Sequence, residues 1–124
     1  MEPFKIESAF RPYGPGRKEV RPVLSNISKN ENQGELYVTE ILENQPVSDT
    51  GILSFRLRIS KGFRHQIRCH LAWLGAPILN DSLYGGPSSG KGLLALRAAS
   101  ITFTDPSSGK VRSYSIPSLE LDEI

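Results

Sequence analysis

The segment from Ile52 to Ser60 has a clear alternation of apolar and polar residues. Its apolar side chains would face one side of an extended chain and its polar side chains the other. This period of two predicts a half-buried strand. A second strand is predicted from Glu35 to Glu43, which is rich in β-branched and aromatic residues. The turn formers between the two segments favour an antiparallel pair.

An amphipathic helix is predicted next, from about Arg64 to Leu74. Its apolar residues recur at helical spacing, at Ile67, Leu71 and Leu74. Gly75 stands where a left-handed residue commonly ends a helix, and Pro77 follows as a stop. In such a helix Arg64 and Arg68 would share a face one turn apart, where like charges repel unless an anion lies nearby.

The remaining segments carry weaker patterns. Residues 11–17 and 25–34 are rich in turn formers and asparagine, so 1–34 is predicted to be an irregular lead-in. Within it, 19–24 is at best a short edge strand, because Pro22 cannot donate a backbone hydrogen bond. Residues 101–116 predict a hairpin around an Asp-Pro-Ser-Ser-Gly turn.

These elements predict an α/β fold of the α+β type, with a mixed, mainly antiparallel sheet and one principal helix. A chain of 124 residues is expected to form a single domain over 1–124, with a core over 35–117 and a tail over 118–124. The chain has no apolar run near the ~20 residues of a membrane helix, and we expect a cytoplasmic protein.

The only cysteine is Cys69, so no intrachain disulfide can form. A zinc site from His65, Cys69 and His70 is disfavoured, because a helix that aligns positions 65 and 69 turns position 70 away. We expect no metal and no cofactor.

The net charge is only +2, but the charges are unevenly distributed. From Thr50 to Asn80 the chain has no acidic residue and five basic ones: Arg56, Arg58, Lys61, Arg64 and Arg68. This stretch indicates either a contact with a polyanion or a solvated charged face.

Three segments within 65–85 resemble the RluA-type pseudouridine synthases. They are His65-Gln66-Ile67-Arg68-Cys69-His70-Leu71, Gly75-Ala76-Pro77-Ile78 and Asp81-Ser82-Leu83-Tyr84-Gly85. The family pattern is roughly Gly-Arg-Thr-His-Gln-Ile-Arg-x-His-Leu, Gly-x-Pro-Ile and Gly-Asp-x-x-Tyr-Gly. The resemblance extends over about 37–117. The sequence departs from the family at Phe63, Arg64, Asn80 and Arg97.

The resemblance implies an isomerase that converts uridine to pseudouridine in ribosomal or transfer RNA, without a cofactor. It implies that Arg68 is a catalytic residue that pairs with an aspartate. The predicted RNA-binding residues are Lys61, Arg64, His65 and Gln66, of which His65 and Gln66 could instead cap the helix. His70, Asp81 and Tyr84 are predicted to be structural residues of the motif.

The family's catalytic aspartate belongs to a His-Arg-Leu-Asp motif, which these 124 residues lack. We therefore expect a C-terminal fragment of the catalytic domain that is inactive alone and pairs with a missing N-terminal half. Such an incomplete sheet is expected to self-associate through its exposed strand edges.

Two other classes of function stay open. Gly85-Gly86-Pro87-Ser88-Ser89-Gly90-Lys91 has the glycine and lysine spacing of a phosphate-binding loop, but Gly92 replaces the magnesium-binding Ser or Thr. A non-catalytic RNA-binding module would also account for the basic stretch and for the missing aspartate motif.

Overall fold

The computed structural model describes residues 2–23, 35–90, 92–120 and 124. They form two compact units, Met1–Pro77 and Ile78–Ile124. Within the described ranges, no helix combines the length and the apolar character needed to cross a membrane.

The first unit contains a four-stranded antiparallel sheet. Its strands are β1 (Phe4–Tyr13), β2 (Glu19–Val23), β3 (Tyr37–Pro46) and β4 (Leu53–Arg58). Their order in the sheet is β2-β1-β3-β4, so β2 and β4 form the two edges. The predicted antiparallel pairing of β3 with β4 is confirmed.

The prediction of an irregular lead-in is wrong for residues 4–23. They form β1 and β2, joined by a short 3-10 helix at Pro15–Arg17. The signal was weak because the buried positions of β1, Ser8 and Ala9, are small and adjacent rather than large and alternating. β1 is stabilised by pairing of Phe4–Ser8 with β3, a strand that is distant in sequence. The predicted polar loop at 25–34 lies outside the described residues.

The edge strand anticipated around Pro22 is confirmed. Pro22 pairs with Phe10 of β1, and among the described strands β2 has a neighbour on one side only. An edge position tolerates proline because a missing N–H on the outer side breaks no ladder bond.

The principal helix, α1 (Gln66–Leu74), contacts β2 and β3. It ends as predicted, because Gly75 is left-handed with φ 92°. The Gly75 N–H donates to the Ala72 carbonyl (3.0 Å), and the Ala76 N–H donates to the Leu71 carbonyl (2.9 Å). These two bonds form a Schellman motif, which satisfies carbonyls that the last turn would leave unpaired.

The buried face of α1 differs from the predicted apolar face. Leu71 is buried as expected, but Leu74 is 45% exposed. Polar Gln66 and His70 are buried instead, together with Cys69. Hydrogen bonds to the sheet, rather than apolar periodicity alone, therefore determine which side of α1 faces inward.

The second unit contains a 3-10 helix at Ser82–Tyr84 and the hairpin of β5 (Ser100–Thr104) and β6 (Val111–Ser115). The antiparallel pairing of β5 and β6 confirms the predicted hairpin. Together the two units confirm the predicted α+β class, with antiparallel sheets and one principal helix.

Candidate functional site

His70 connects the principal helix to the sheet of the first unit. Its side chain is fully buried and both ring nitrogens are hydrogen-bonded. Nε2 lies 2.8 Å from the Ser8 hydroxyl on β1, and Nδ1 lies 2.8 Å from the Thr39 hydroxyl on β3. The imidazole therefore bonds α1 to two strands, which agrees with the structural role predicted for His70.

Gln66 fixes the start of the same helix. Its amide nitrogen donates to the Val38 carbonyl and to the Thr39 hydroxyl, both at 3.1 Å. Its amide oxygen accepts a hydrogen bond from the Phe63 backbone N–H at 2.9 Å. The side chain is 2% exposed. Of the two roles left open for Gln66, the geometry favours holding the helix start over binding RNA.

The two side chains share one hydrogen-bond network through Thr39. The Thr39 hydroxyl accepts from Gln66 and has a single proton to donate. When Thr39 donates that proton to Nδ1 of His70, the imidazole carries its own proton on Nε2 and donates it to the Ser8 hydroxyl. Each of these groups then has a hydrogen-bond partner while the imidazole stays neutral. Burial lowers the pKa of His70 to about 4, because a charged ring would lose its hydration.

Arg64 precedes the helix instead of lying in its first turn. His65, at the N-cap, has φ 58° in the left-handed region, so the chain changes direction immediately before Gln66. The Arg64 guanidinium donates to the Arg17 carbonyl in the β1–β2 turn at 3.0 Å. The prediction that Arg64 and Arg68 share a helical face is therefore wrong.

Arg68 lies in the first turn of α1 and is half-buried. It stands between Gln66 and Cys69, both of which are buried. The backbone at Arg68 is thus held by the same anchors that fix the helix to the sheet. Its pairing with a catalytic carboxylate remains a prediction.

Strand β3 and its N-terminal flank supply acidic partners to three of the five basic residues in the predicted stripe. The ion pairs are Arg56–Glu43 (2.9 Å), Arg58–Glu40 (3.0 Å) and Lys61–Glu35 (2.6 Å). The Lys61 ammonium also lies 5.0 Å from the centre of the Tyr37 ring. Pairing of β3 with β4, which also brings their flanking residues together, therefore supplies acidic partners to cations that have no acidic neighbour in the sequence stretch 50–80.

Cys69 is a buried thiol. It donates to the Val20 carbonyl at 3.4 Å, and burial raises its pKa to about 11. Since the thiolate is the nucleophilic form, Cys69 is inert at neutral pH. This agrees with its interpretation as a small packing residue.

No family model matches the chain. An uncharacterized RNA pseudouridine synthase from Chlorobaculum parvum is 31% identical over 115 residues, covering 78% of this chain and 34% of that protein. YhcT of Bacillus subtilis, also named an uncharacterized RNA pseudouridine synthase, is 33% identical over 91 residues, or 73% of this chain and 29% of YhcT.

The human protein named pseudouridylate synthase RPUSD2 is 54% identical over 41 residues, which are 30% of this chain and 8% of RPUSD2. The chain belongs to the RNA pseudouridine synthase family. It spans about a third or less of the length of these relatives.

Phe63 occupies a position where the pseudouridine synthase pattern has arginine. Its ring stacks on Phe10 of β1 with centroids 5.2 Å apart, and it meets the edge of Tyr37 at the same distance. The side chain is used in packing between the helix start and the sheet. The neighbouring cation, Arg64, contacts the β1–β2 turn instead.

Asn80 replaces a family glycine and keeps the backbone conformation that glycine favours. Its φ is 68°, and asparagine is among the residues that adopt left-handed backbone most readily. Its side chain also bonds Ser89 and the Leu93 carbonyl, which stabilises the loop. Asparagine at this position is therefore compatible with the left-handed backbone found here.

Asp81 is buried and caps the 3-10 helix that follows it. Its carboxylate accepts from the Tyr84 backbone N–H at 3.3 Å. This supports the structural role predicted for Asp81 and Tyr84. A β-carbon at Gly86 would overlap the Ile78 carbonyl, so the loop packs too closely there for any larger residue.

The same loop lacks the surroundings of a nucleotide-binding phosphate loop. That motif requires a strand before the glycines and a helix after the lysine. Here a 3-10 helix precedes Gly85, and no helix is described between 92 and 99. Lys91 itself lies outside the described residues. The geometry does not favour nucleotide binding.

The sequence interpretation did not identify the hydroxyls that bond His70, nor the arginines of the β1–β2 hairpin. Ser8 and Thr39 are unremarkable residue types whose role depends on pairing between distant strands. The sequence signal for the hairpin is the basic pair Arg17-Lys18 between two further arginines, within the segment predicted to be an irregular lead-in.

Proposed function

We propose that this chain contributes the arginine-bearing part of the active site of an RluA-type RNA pseudouridine synthase. The observation that carries the proposal is the anchoring of α1, whose start and centre are bonded to the sheet through Gln66 and His70. This anchoring holds Arg68 on a rigid element, as a catalytic arrangement requires.

Arg68 would act on a catalytic carboxylate. An arginine close to a carboxylate stabilises its ionised form and orients it through a planar fork of donors. Among the described aspartates, Asp49 lies in the exposed turn between β3 and β4, Asp81 caps a buried loop, and Asp105 is bonded within the β5–β6 turn. We therefore propose that the catalytic aspartate comes from residues outside these 124.

The substrate would be a uridine in ribosomal or transfer RNA, in the cytoplasm. The base must leave its stack before it can be detached, rotated and rejoined through carbon, at a cost of a few kcal/mol. Phosphate contacts from basic side chains would offset this cost, with Lys61, Arg64 and His65 as the proposed contributors.

The central test is complementation. Pseudouridine formation on RNA would be measured by mass spectrometry of nucleosides, with the chain alone and with an added segment that carries a His-Arg-Leu-Asp motif. We expect no product from the chain alone and product from the mixture. Turnover by the isolated chain would contradict the proposal.

The alternative is a non-catalytic RNA-binding module. It would be favoured if the chain bound RNA in a salt-sensitive way but the complemented mixture formed no pseudouridine. The complementation experiment therefore distinguishes the two functions with the same preparations.

We also propose that the isolated chain self-associates through its exposed strand edges, β2 and β4. Unpaired edge strands offer backbone groups to a second chain. Light scattering after size exclusion is expected to give a mass above the 13.7 kDa of one chain, increasing with concentration. A constant mass of one chain would contradict this.

A further inference from the structure

The β1–β2 hairpin carries a cationic surface that the sequence pattern did not reveal. Residues 11–21 contain four basic side chains and a single acidic one, Glu19. The hairpin cationic surface is defined here as Arg11, Arg17, Lys18 and Arg21, together with Arg64 from the segment before α1. Arg64 joins it by donating to the Arg17 carbonyl at 3.0 Å.

Two of these arginines stand directly opposite each other. Arg11 on β1 is the register partner of Arg21 on β2, and like charges in such a pair are unfavourable. Both guanidinium groups lie over the Tyr13 ring, at 5.4 Å for Arg11 and 4.1 Å for Arg21. The ring attracts both cations and restricts their positions, so less side-chain entropy is lost when an anion binds.

Acidic partners are few at this surface. Arg21 pairs with Glu19 at 2.8 Å. Within the described part of the chain, Arg11, Arg17, Lys18 and Arg64 show no ion pair with a carboxylate. Two arginines of β4 in the same sheet differ from these cations, because Arg56 and Arg58 each pair with a glutamate of β3.

We infer that the hairpin cationic surface binds the phosphate backbone of the RNA substrate, in addition to the phosphate contacts proposed for Lys61 and His65. This inference rests on the proposed function, because that function supplies RNA as the partner. Several guanidinium groups on one exposed hairpin match the closely spaced negative charges of a nucleic acid strand. Contacts from these cations to phosphate oxygens would fix the position of the RNA strand and carry no sequence information.

The test compares two double variants of the full chain. Arg11→Gln with Lys18→Gln removes two exposed charges from the hairpin, and Arg56→Gln with Arg58→Gln removes two exposed charges from β4. Binding of a short labelled single-stranded RNA would be followed by fluorescence anisotropy over a range of salt concentrations. Circular dichroism would establish that each variant is folded.

The hairpin variant is expected to bind RNA roughly 25-fold more weakly at about 0.1 M monovalent salt. The slope of the logarithm of its binding constant against the logarithm of the salt concentration should be smaller in magnitude by about 1.4. The β4 variant is expected to change affinity less than about threefold, because its arginines are already paired. If the double variant fails to fold, the single variant Lys18→Glu tests the contribution of the turn to RNA binding in the same assay.

Equal weakening by both double variants would overturn the inference, as would an unchanged hairpin variant or a parent chain that does not bind RNA. Stronger binding to polyglutamate than to RNA would also overturn it, by indicating an acidic protein partner. If the hairpin variant binds normally while the complemented enzyme forms pseudouridine, the surface inference fails and the proposed function stands.

Discussion

Replacing Arg68 with glutamine is expected to lower kcat for pseudouridine formation by roughly 100-fold in the complemented enzyme. Glutamine has a similar length but no charge, so the catalytic aspartate would lose the partner that keeps it ionised and oriented. The pKa of that aspartate should then rise. The acidic limb of the pH–rate profile should therefore move to higher pH, which single-turnover measurements across pH would show.

Two further variants make this prediction specific. Arg68→Lys keeps the charge but loses the planar fork of donors, so its rate should fall between the parent and Arg68→Gln. Arg112→Gln is the matched control, because Arg112 forms an exposed ion pair with Asp105 in the β5–β6 hairpin. A raised KM with unchanged kcat for Arg68→Gln would show that Arg68 binds RNA without acting on the aspartate.

The second large effect concerns the stability of the first unit at acidic pH. The ordinary pKa of histidine is near 6.5, and burial lowers that of His70 to about 4 in the folded chain. Between these two values the unfolded chain binds more protons than the folded chain, so stability falls as the pH falls. The contribution of His70 is fully present above about pH 6.5 and is lost progressively towards pH 4.

The expected loss is on the order of 3 kcal/mol across this window. The groups facing the imidazole are the hydroxyls of Ser8 and Thr39 and the rings of Phe10 and Trp73. None of these carries a carboxylate that could stabilise a charged ring. Urea unfolding at a series of pH values, followed by circular dichroism, would measure the loss.

The two histidines provide a matched pair of variants for this measurement. His70→Leu should reduce stability at pH 7 by about 2–4 kcal/mol, because it leaves the buried hydroxyls of Ser8 and Thr39 without their partner. It should also flatten the pH dependence between 6.5 and 4.5. Asparagine suits the left-handed backbone at position 65, so His65→Asn should keep the parent's dependence of stability on pH. If stability depends on pH in His70→Leu as it does in the parent chain, His70 is not the group that causes the loss of stability at acidic pH.

Local patterns predicted the elements whose stabilising contacts are close in sequence. Strand β4 was identified from its alternation, and the end of α1 from Gly75, whose bonds reach only to Leu71 and Ala72. Strand β1 was missed, because its short side chains at Ser8 and Ala9 give no alternating signal and its partner β3 is more than twenty residues away.

The site was predicted unevenly for the same reason. The motif from His65 to Leu71 identified the family, and the structural role of His70 agrees with its geometry. The helical pairing of Arg64 with Arg68 failed, because a left-handed residue at His65 separates Arg64 from the helix. No count of charges along the chain could show that acidic partners from β3 and its flank neutralise Arg56, Arg58 and Lys61.

The sequence by itself determined the family, the α+β class, and the segment that carries Arg68, since these depend on residue types at fixed spacing. Only the tertiary structure decided which polar side chains hold α1 to the sheet and which of the described cations have an acidic partner. Both outcomes depend on strands far apart in the chain that become neighbours on folding. Thr39 lies 31 residues from His70, and Arg64 lies 47 residues from the carbonyl it bonds in the hairpin.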